Sequence, residues 1–202
     1  MTHQRRWINL AVLGSGKGSN FSAIAKAIAQ GEIAAKIAVV VSDNPKALIL
    51  EKARQLAIPA VVLPQGKYKT WLEPWIEEEL VRILKQYNTE LVVLAGFMRV
   101  LKETFLASFE GKTLNIHPSL LPDFKGKEAW KAALKAAVKE TGCTVHWVSK
   151  ELDGGKIIAQ SKVPVYPSDS PEELHARIQQ AEHELYPRVL KEICLDWIKQ
   201  KL

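Results

Sequence analysis

The chain has 202 residues, of which 47% are apolar and 25% charged, and a net charge of +6. This composition excludes a disordered chain and suits one substantial core. Its longest apolar runs, IAAKIAVVV and LVVLAGFM, are too short or too interrupted to cross a bilayer. The positive charge is dispersed: beyond Arg5-Arg6, lysines recur singly along amphipathic segments, which favours small anionic substrates. Nucleic-acid binding is not expected, because basic patches interleaved with aromatics are missing. The N-terminal apolar run is too short for a secretion signal, so a cytoplasmic location without membrane attachment is expected. Cys143 and Cys194 have neither a CxxC spacing nor a histidine at metal spacing, so both read as buried thiols and no metal site is expected.

In chain order, apolar runs alternate with amphipathic segments. INLAVLG (8–14) reads as a strand ending in glycine, and NFSAIAKAIAQG (20–31) as a helix with Asn20 at the N-cap and Gly31 at C′. IAVVVSDN (37–44), AVVLP (60–64), ELVVLAGF (90–97) and TLNIH (113–117) are further strands; 47–57, 70–87 and 100–109 are the helices between them. Continuous rather than alternating apolar strands imply a parallel sheet covered on both faces, an α/β Rossmann-like layer over roughly 1–118. A helix at 128–140 then precedes TVHWV (144–148) and KIIAQSKVPV (156–165), an antiparallel pair expected at the edge of the same sheet. The tail is helical from Ser170, with Ser170, Pro171 and Glu173 forming a capped start, and Pro187 is expected to interrupt or kink it after Tyr186. No repeat or linker divides the chain, so 1–202 reads as a single domain.

LGSGKGSN (13–20) is neither a Walker A loop nor a dinucleotide fingerprint. Gly18 rather than Ser or Thr follows Gly-Lys, glycines at 14, 16 and 18 do not make GxGxxG, and this reading finds no acid closing the second strand. A glycine turn leading into a helix still gathers backbone N–H groups at a positive helix end, with Ser19 and Asn20 adding donors, which suits one phosphate. A tight turn with a capped helix and no ligand would use the same residues.

Asn115 and His117 close the fifth strand on one common face, and Pro118 and Pro122 stop the sheet beyond them. Buried polar groups are costly unless paired or useful, and ligands of such sheets bind at the carboxyl ends of the strands. Asp153, in the ELDGG turn, is the candidate third member: a carboxylate beside an imidazole fixes its orientation and favours its charged form. Asn115 then has an amide N–H for a developing oxyanion. Without a Ser or Cys nucleophile, the trio points to direct attack on an acyl group by an amine or by water. A plain hairpin-turn role for Asp153 is the competing reading. His146 is either an ordinary strand residue or a partner behind the trio.

NIHPSLLPDFKG (115–126) and TGCTVHWVSKELDGGKII (141–158), with GSGKGSN, LVVLAGFMRVL (91–101) and AEHELYP (181–187), together resemble the folate-dependent formyltransferases over nearly the whole chain. The resemblance implies transfer of a formyl group from 10-formyltetrahydrofolate to the amine of glycinamide ribonucleotide in purine synthesis. It implies Asn115, His117 and Asp153 as the catalytic trio, with His117 the general acid. Gly18, Ser19 and Asn20 would take the substrate phosphate, and Gln179, Gln180, Ala181 and Glu182 would meet the same substrate, Glu182 most directly. Met98, Arg99, Val100 and Leu101, with Asn115 and Ser149, Lys150, Glu151, Leu152 and Asp153, would line the folate pocket. The phosphate-binding half would be 1–118 and the folate-binding, catalytic half 119–202. Read without the resemblance, Glu182 looks like part of a solvated acidic helix face.

Several positions depart from the family pattern: Lys125 before Gly126, Glu128 and Trp130 where histidines are common, and Lys156 after the glycine pair. A folate-binding arginine ahead of the third helix has no counterpart, although Lys67 and Lys69 lie in that region. The rival readings are a formyltetrahydrofolate hydrolase, a methionyl-tRNA formyltransferase lacking its tRNA-binding extension, a nicotinamide-dependent oxidoreductase and a catalytically silent binding protein. A monomer or a homodimer is expected.

Overall fold

The computed structural model describes residues 6–200. Arg5 of the basic pair lies outside them, and Arg6 pairs with Glu90 at 3.3 Å. Strands β1 (Ile8–Leu13), β2 (Ala35–Ser42), β3 (Ala60–Val62), β4 (Leu91–Leu94), β5 (Thr113–His117), β6 (Glu140–Trp147) and β7 (Ile157–Pro164) form one sheet in the order β3-β2-β1-β4-β5-β6-β7. The first five are parallel, and β6 and β7 join antiparallel at the edge. The expected architecture is therefore the one found.

Alternate strand residues feed opposite layers, as the two-residue period of a strand requires. Leu10, Val12, Leu91, Val93, Leu114 and Ile116 pack with helices α1 (Ser19–Ala29), α2 (Leu48–Gln55) and α6 (Pro171–Lys199). Ala11, Leu13, Val92 and Leu94 pack with α3 (Pro74–Gln86) and α4 (Glu103–Phe109). Both Cys143 and Cys194 are fully buried in the first layer. No helix of the described residues is long and apolar enough to cross a membrane.

Several helix boundaries differ from the expected ones, α4 starting at Glu103 rather than at 100 among them, and four differences have a clear local reason. Helix α1 starts at Ser19 with Gly18, not Asn20, at the N-cap. Gly18 adopts φ 68, a left-handed conformation natural to glycine, and a side chain there would lie 2.8 Å from Ile49 Cβ. Helix α3 begins only at Pro74, because Trp71 is drawn into a bridge with Val100. Helix α5 (Ala129–Lys135) ends early: Ala137 turns left-handed and Glu140 already pairs with Pro164. Helix α6 runs for 29 residues straight through Pro187, so the expected interruption after Tyr186 does not occur. Leu185, Tyr186, Val189 and Leu190 flank the proline and are all buried. Their burial, at about 1.5–3 kcal/mol each, outweighs the roughly 3 kcal/mol a proline costs inside a helix. The start of α6 is as expected, with reciprocal Ser170 and Glu173 bonds and Pro171 in the first turn.

Candidate active site

Strand order places β4 between β1 and β5, so the glycine turn after β1 and the end of β5 stand two strand spacings apart, roughly 10 Å. Both open at the carboxyl edge, where the strand order reverses between β1 and β4 and a ligand finds room. Leu114 and Ile116 point into the α6 layer, so Asn115 and His117 turn to the other face.

Asp153 joins this pair. Its Oδ2 lies 3.4 Å from His117 Nδ1, and its Oδ1 lies 3.8 Å from His146 Nε2. The carboxylate is 8% exposed, and Oδ2 also accepts the Gly126 N–H at 2.9 Å. Asp153 holds φ 49, a strained conformation for a residue with a side chain. The glycines after it are needed as well, since a side chain on Gly155 would strike the Trp147 carbonyl. The hairpin-turn reading of Asp153 is thus true of its backbone, while its carboxylate lies against the His117 ring.

The other His117 nitrogen, Nε2, donates to the Phe124 carbonyl at 2.9 Å. Both ring nitrogens face oxygen, so a proton on either one finds an acceptor. His146 stands opposite Asn115 in the β5–β6 register. Burial holds its imidazole below the ordinary histidine value, against the smaller pulls of the Trp147 carbonyl and Asp153. The neutral ring donates Nδ1–H to the Trp147 carbonyl at 2.9 Å and accepts from Asn115 Nδ2 at 3.1 Å. One Asn115 amide proton is thereby held, and the second remains to donate elsewhere. His146 is a partner behind the trio rather than an ordinary strand residue.

On the other side of the edge, the Ser22 N–H reaches the Gly18 carbonyl at 3.1 Å, leaving the N–H groups of Ser19, Asn20 and Phe21 directed at the turn. Asn20 does not cap the helix: it is 7% exposed and donates Nδ2–H to Glu182 Oε2 at 2.8 Å. Glu182 is 6% exposed, which corrects its reading as a solvated acid. Burial raises its carboxyl to about 7, against the lowering effect of the Asn20 bond. In the segment before it, Gln179 and Ala181 are half-buried and Gln180 is exposed. One turn on, the Tyr186 hydroxyl sits 3.1 Å from both the Leu94 and Leu114 carbonyls, tying α6 to β4 and β5.

Along the candidate folate wall, Met98 and Leu152 are exposed at 58% and 54%. Leu101 is buried, Val100 bonds to the Thr70 carbonyl, and Arg99 is held by an ion pair. Ser149 bonds to the Glu151 carbonyl, Lys150 is exposed, and Glu151 pairs with Lys125 at 2.7 Å. Trp130 stacks on His175 with ring centroids 3.9 Å apart, and Glu128 pairs with Lys131 at 2.6 Å. A cavity of about 800 Å³ between α1 and α6 touches Ser19 but contains none of the trio. Among the described residues, no group of three or more His, Cys, Asp and Glu is placed to hold a metal ion.

The sequence reading missed Asp43. It stands directly after β2, 7% exposed, so an acid does follow the second strand. Its carboxylate engages Ser15 and Arg99. The SDN triplet after a continuous apolar run was the available signal.

An amide donor and an imidazole flanked by a carboxylate, across a sheet edge from a glycine turn, suit an acyl-transfer class of enzyme. A family model described as formyl transferase matches residues 8–190, and the chain belongs to that family. It is 42% identical over 182 residues to the phosphoribosylglycinamide formyltransferase of Haemophilus influenzae, covering 90% of this chain and 85% of that protein. Against the trifunctional purine biosynthetic protein adenosine-3 of Gallus gallus, identity is 42% over 188 residues, which is 93% of this chain and 18% of that protein. The crystal structure of glycinamide ribonucleotide transformylase 1 from Symbiobacterium toebii matches with a TM-score of 0.92 at 39% identity, over 97% of this chain and 92% of that one.

Proposed function

We propose that this formyltransferase moves the formyl group of 10-formyltetrahydrofolate to the amine of glycinamide ribonucleotide, in the cytoplasmic synthesis of purines. The observation that carries the chemistry is the approach of Asp153 Oδ2 to His117 Nδ1 at 3.4 Å, with Asn115 alongside on the same strand.

In this reading the substrate phosphate meets the N–H groups and side chains of Gly18, Ser19 and Asn20, and the Gln179–Glu182 segment orients the remainder through Glu182. The folate lies against Met98 to Leu101 and the Ser149–Asp153 turn, where Met98 and Leu152 give its ring an apolar surface. The amine attacks the formyl carbon, forming a C–N bond and a tetrahedral oxyanion. Asn115 Nδ2 donates its free N–H to that oxygen. The bond from the formyl carbon to the folate nitrogen then breaks, that nitrogen gains a proton, and the attacking amine loses one. His117 delivers the proton to the folate nitrogen, the proton shed by the attacking amine restores the one His117 gave, and Asp153 orients the ring and stabilises its charged form.

The test mixes pure protein with both substrates and follows tetrahydrofolate release. Release that requires the amine is expected; release that ignores it makes the protein a hydrolase. His117→Ala should lower kcat by about two to four orders of magnitude, and an unchanged kcat removes His117 from proton transfer.

A further inference from the structure

Asp43 is buried and ion-paired, and the trio does not use it. Its Oδ1 accepts from Ser15 Oγ at 2.5 Å, and its Oδ2 accepts from Arg99 Nε at 2.6 Å. Its backbone carbonyl accepts from Gln65 Nε2 at 2.8 Å. Ser15 Oγ in turn accepts the Met98 N–H at 2.8 Å, and Arg99 Nη1 donates to the Tyr68 carbonyl. One carboxylate therefore links the ends of β1, β2 and β4 with the loop after β3. The side chains of Arg99 and Asp43 are 13% and 8% exposed, so the pair is largely shielded from water and salt.

We infer that Asp43 is a positioning residue for the formyl-donor site: through Arg99 directly, and through Ser15 to the Met98 backbone, it sets the Met98–Arg99 end of the wall. This inference rests on the formyl-transfer reading above. The network is lopsided in a way that predicts which substrate suffers. The donor wall receives two links from Asp43, one at Arg99 and one at Met98 through Ser15. The glycine turn receives only Ser15 and has anchors of its own. Ile49 N–H bonds to the Gly16 carbonyl at 3.1 Å, Ser15 N–H bonds to the Gly96 carbonyl at 3.0 Å, and Gly14 and Gly18 close directly on Ile49. Loss of the carboxylate leaves Arg99 held only by the Tyr68 carbonyl and lets Met98 and Arg99 shift, while Val100 stays on the Thr70 carbonyl and the phosphate turn stays in place.

The test measures KM for each substrate separately, with kcat and melting temperature, in Asp43→Asn, Asp43→Ala and Ser15→Ala. An asparagine still accepts from one partner but carries no charge and turns an amide donor toward the other. A charged hydrogen bond lost at such a site corresponds to about tenfold or more in binding. Asp43→Asn should raise KM for 10-formyltetrahydrofolate about tenfold and Asp43→Ala more, with KM for glycinamide ribonucleotide within about twofold of native. Ser15→Ala, which keeps the Arg99 pair, should fall between native and Asp43→Asn. A lower melting temperature with both KM values unchanged makes Asp43 merely structural and overturns the inference. An equal rise in both KM values overturns it as well.

Titration of tetrahydrofolate against native protein and Asp43→Asn, read by tryptophan fluorescence, covers the case of a native protein inactive with these substrates. Inactivity would refute the proposed reaction. A weaker affinity in the variant alone would still support the positioning role, and equal affinity would end it.

Discussion

Glu182 should make this protein less stable as pH rises from acid to neutral, and Glu182→Gln should remove the effect. The carboxyl is 6% exposed in the fold, and burial lifts it from 4.5 to about 7. The native state therefore holds a proton that the unfolded chain has already released between those values. Stability from this group is complete below pH 4.5 and is lost as pH climbs through about 7. At 1.36 kcal/mol per pH unit, the interval amounts to about 3 kcal/mol. Glutamine keeps an oxygen for the Asn20 Nδ2–H, now found at 2.8 Å, and carries no charge at any pH. Urea unfolding of the native protein and the variant at pH 5, 6, 7 and 8 gives the difference directly. The two should be close at pH 5, and by pH 8 the variant should be more stable by about 3 kcal/mol. Because Glu182 is also proposed to meet glycinamide ribonucleotide, the stabilised variant should bind that substrate more weakly. A native-minus-variant difference that stays flat from pH 5 to 8 would show that the carboxyl is not held protonated, and the reasoning would fail.

Other consequences are equally open to measurement. Asp153→Asn removes the charge beside both His117 and His146, and kcat should fall by about two orders of magnitude with little change in KM for glycinamide ribonucleotide; steady-state kinetics on purified variant decides it. Glu77, 1% exposed, accepts the Lys102 and Phe105 N–H groups at 2.6 and 3.1 Å and so finishes the start of α4. Glu77→Ala should cost about 1–3 kcal/mol in urea unfolding, since two backbone donors, the Phe105 N–H fully buried, lose their acceptor; a loss under 0.5 kcal/mol would mean water replaces it. Burial pushes the Cys143 and Cys194 thiols up to about 12. Neither should react with iodoacetamide at pH 8 in the folded protein, and mass spectrometry should find both alkylated only after denaturation.

Much of the molecule is legible from local pattern. Continuous apolar runs, a glycine turn, a capping box at Ser170 and the DGG turn each act over a few residues, so they read correctly without knowledge of their surroundings. The same locality makes Asn115 and His117 recognisable as a pair, because alternation alone puts them on one face. What sequence could not decide depends on which segments dock. Asn20 and Glu182 lie 162 positions apart, and only the seating of α6 against α1 turns an expected cap and an expected surface acid into a buried hydrogen-bonded pair. Pro187 stays inside α6 because the sheet beneath rewards burial on both sides of it. Asp43, unremarkable after its strand, gains its Ser15 and Arg99 partners only when β1, β2 and β4 end at one edge. Propensity and turn chemistry are short-ranged, whereas burial and charge pairing are set by neighbours distant in the chain, and those neighbours exist only in the folded protein.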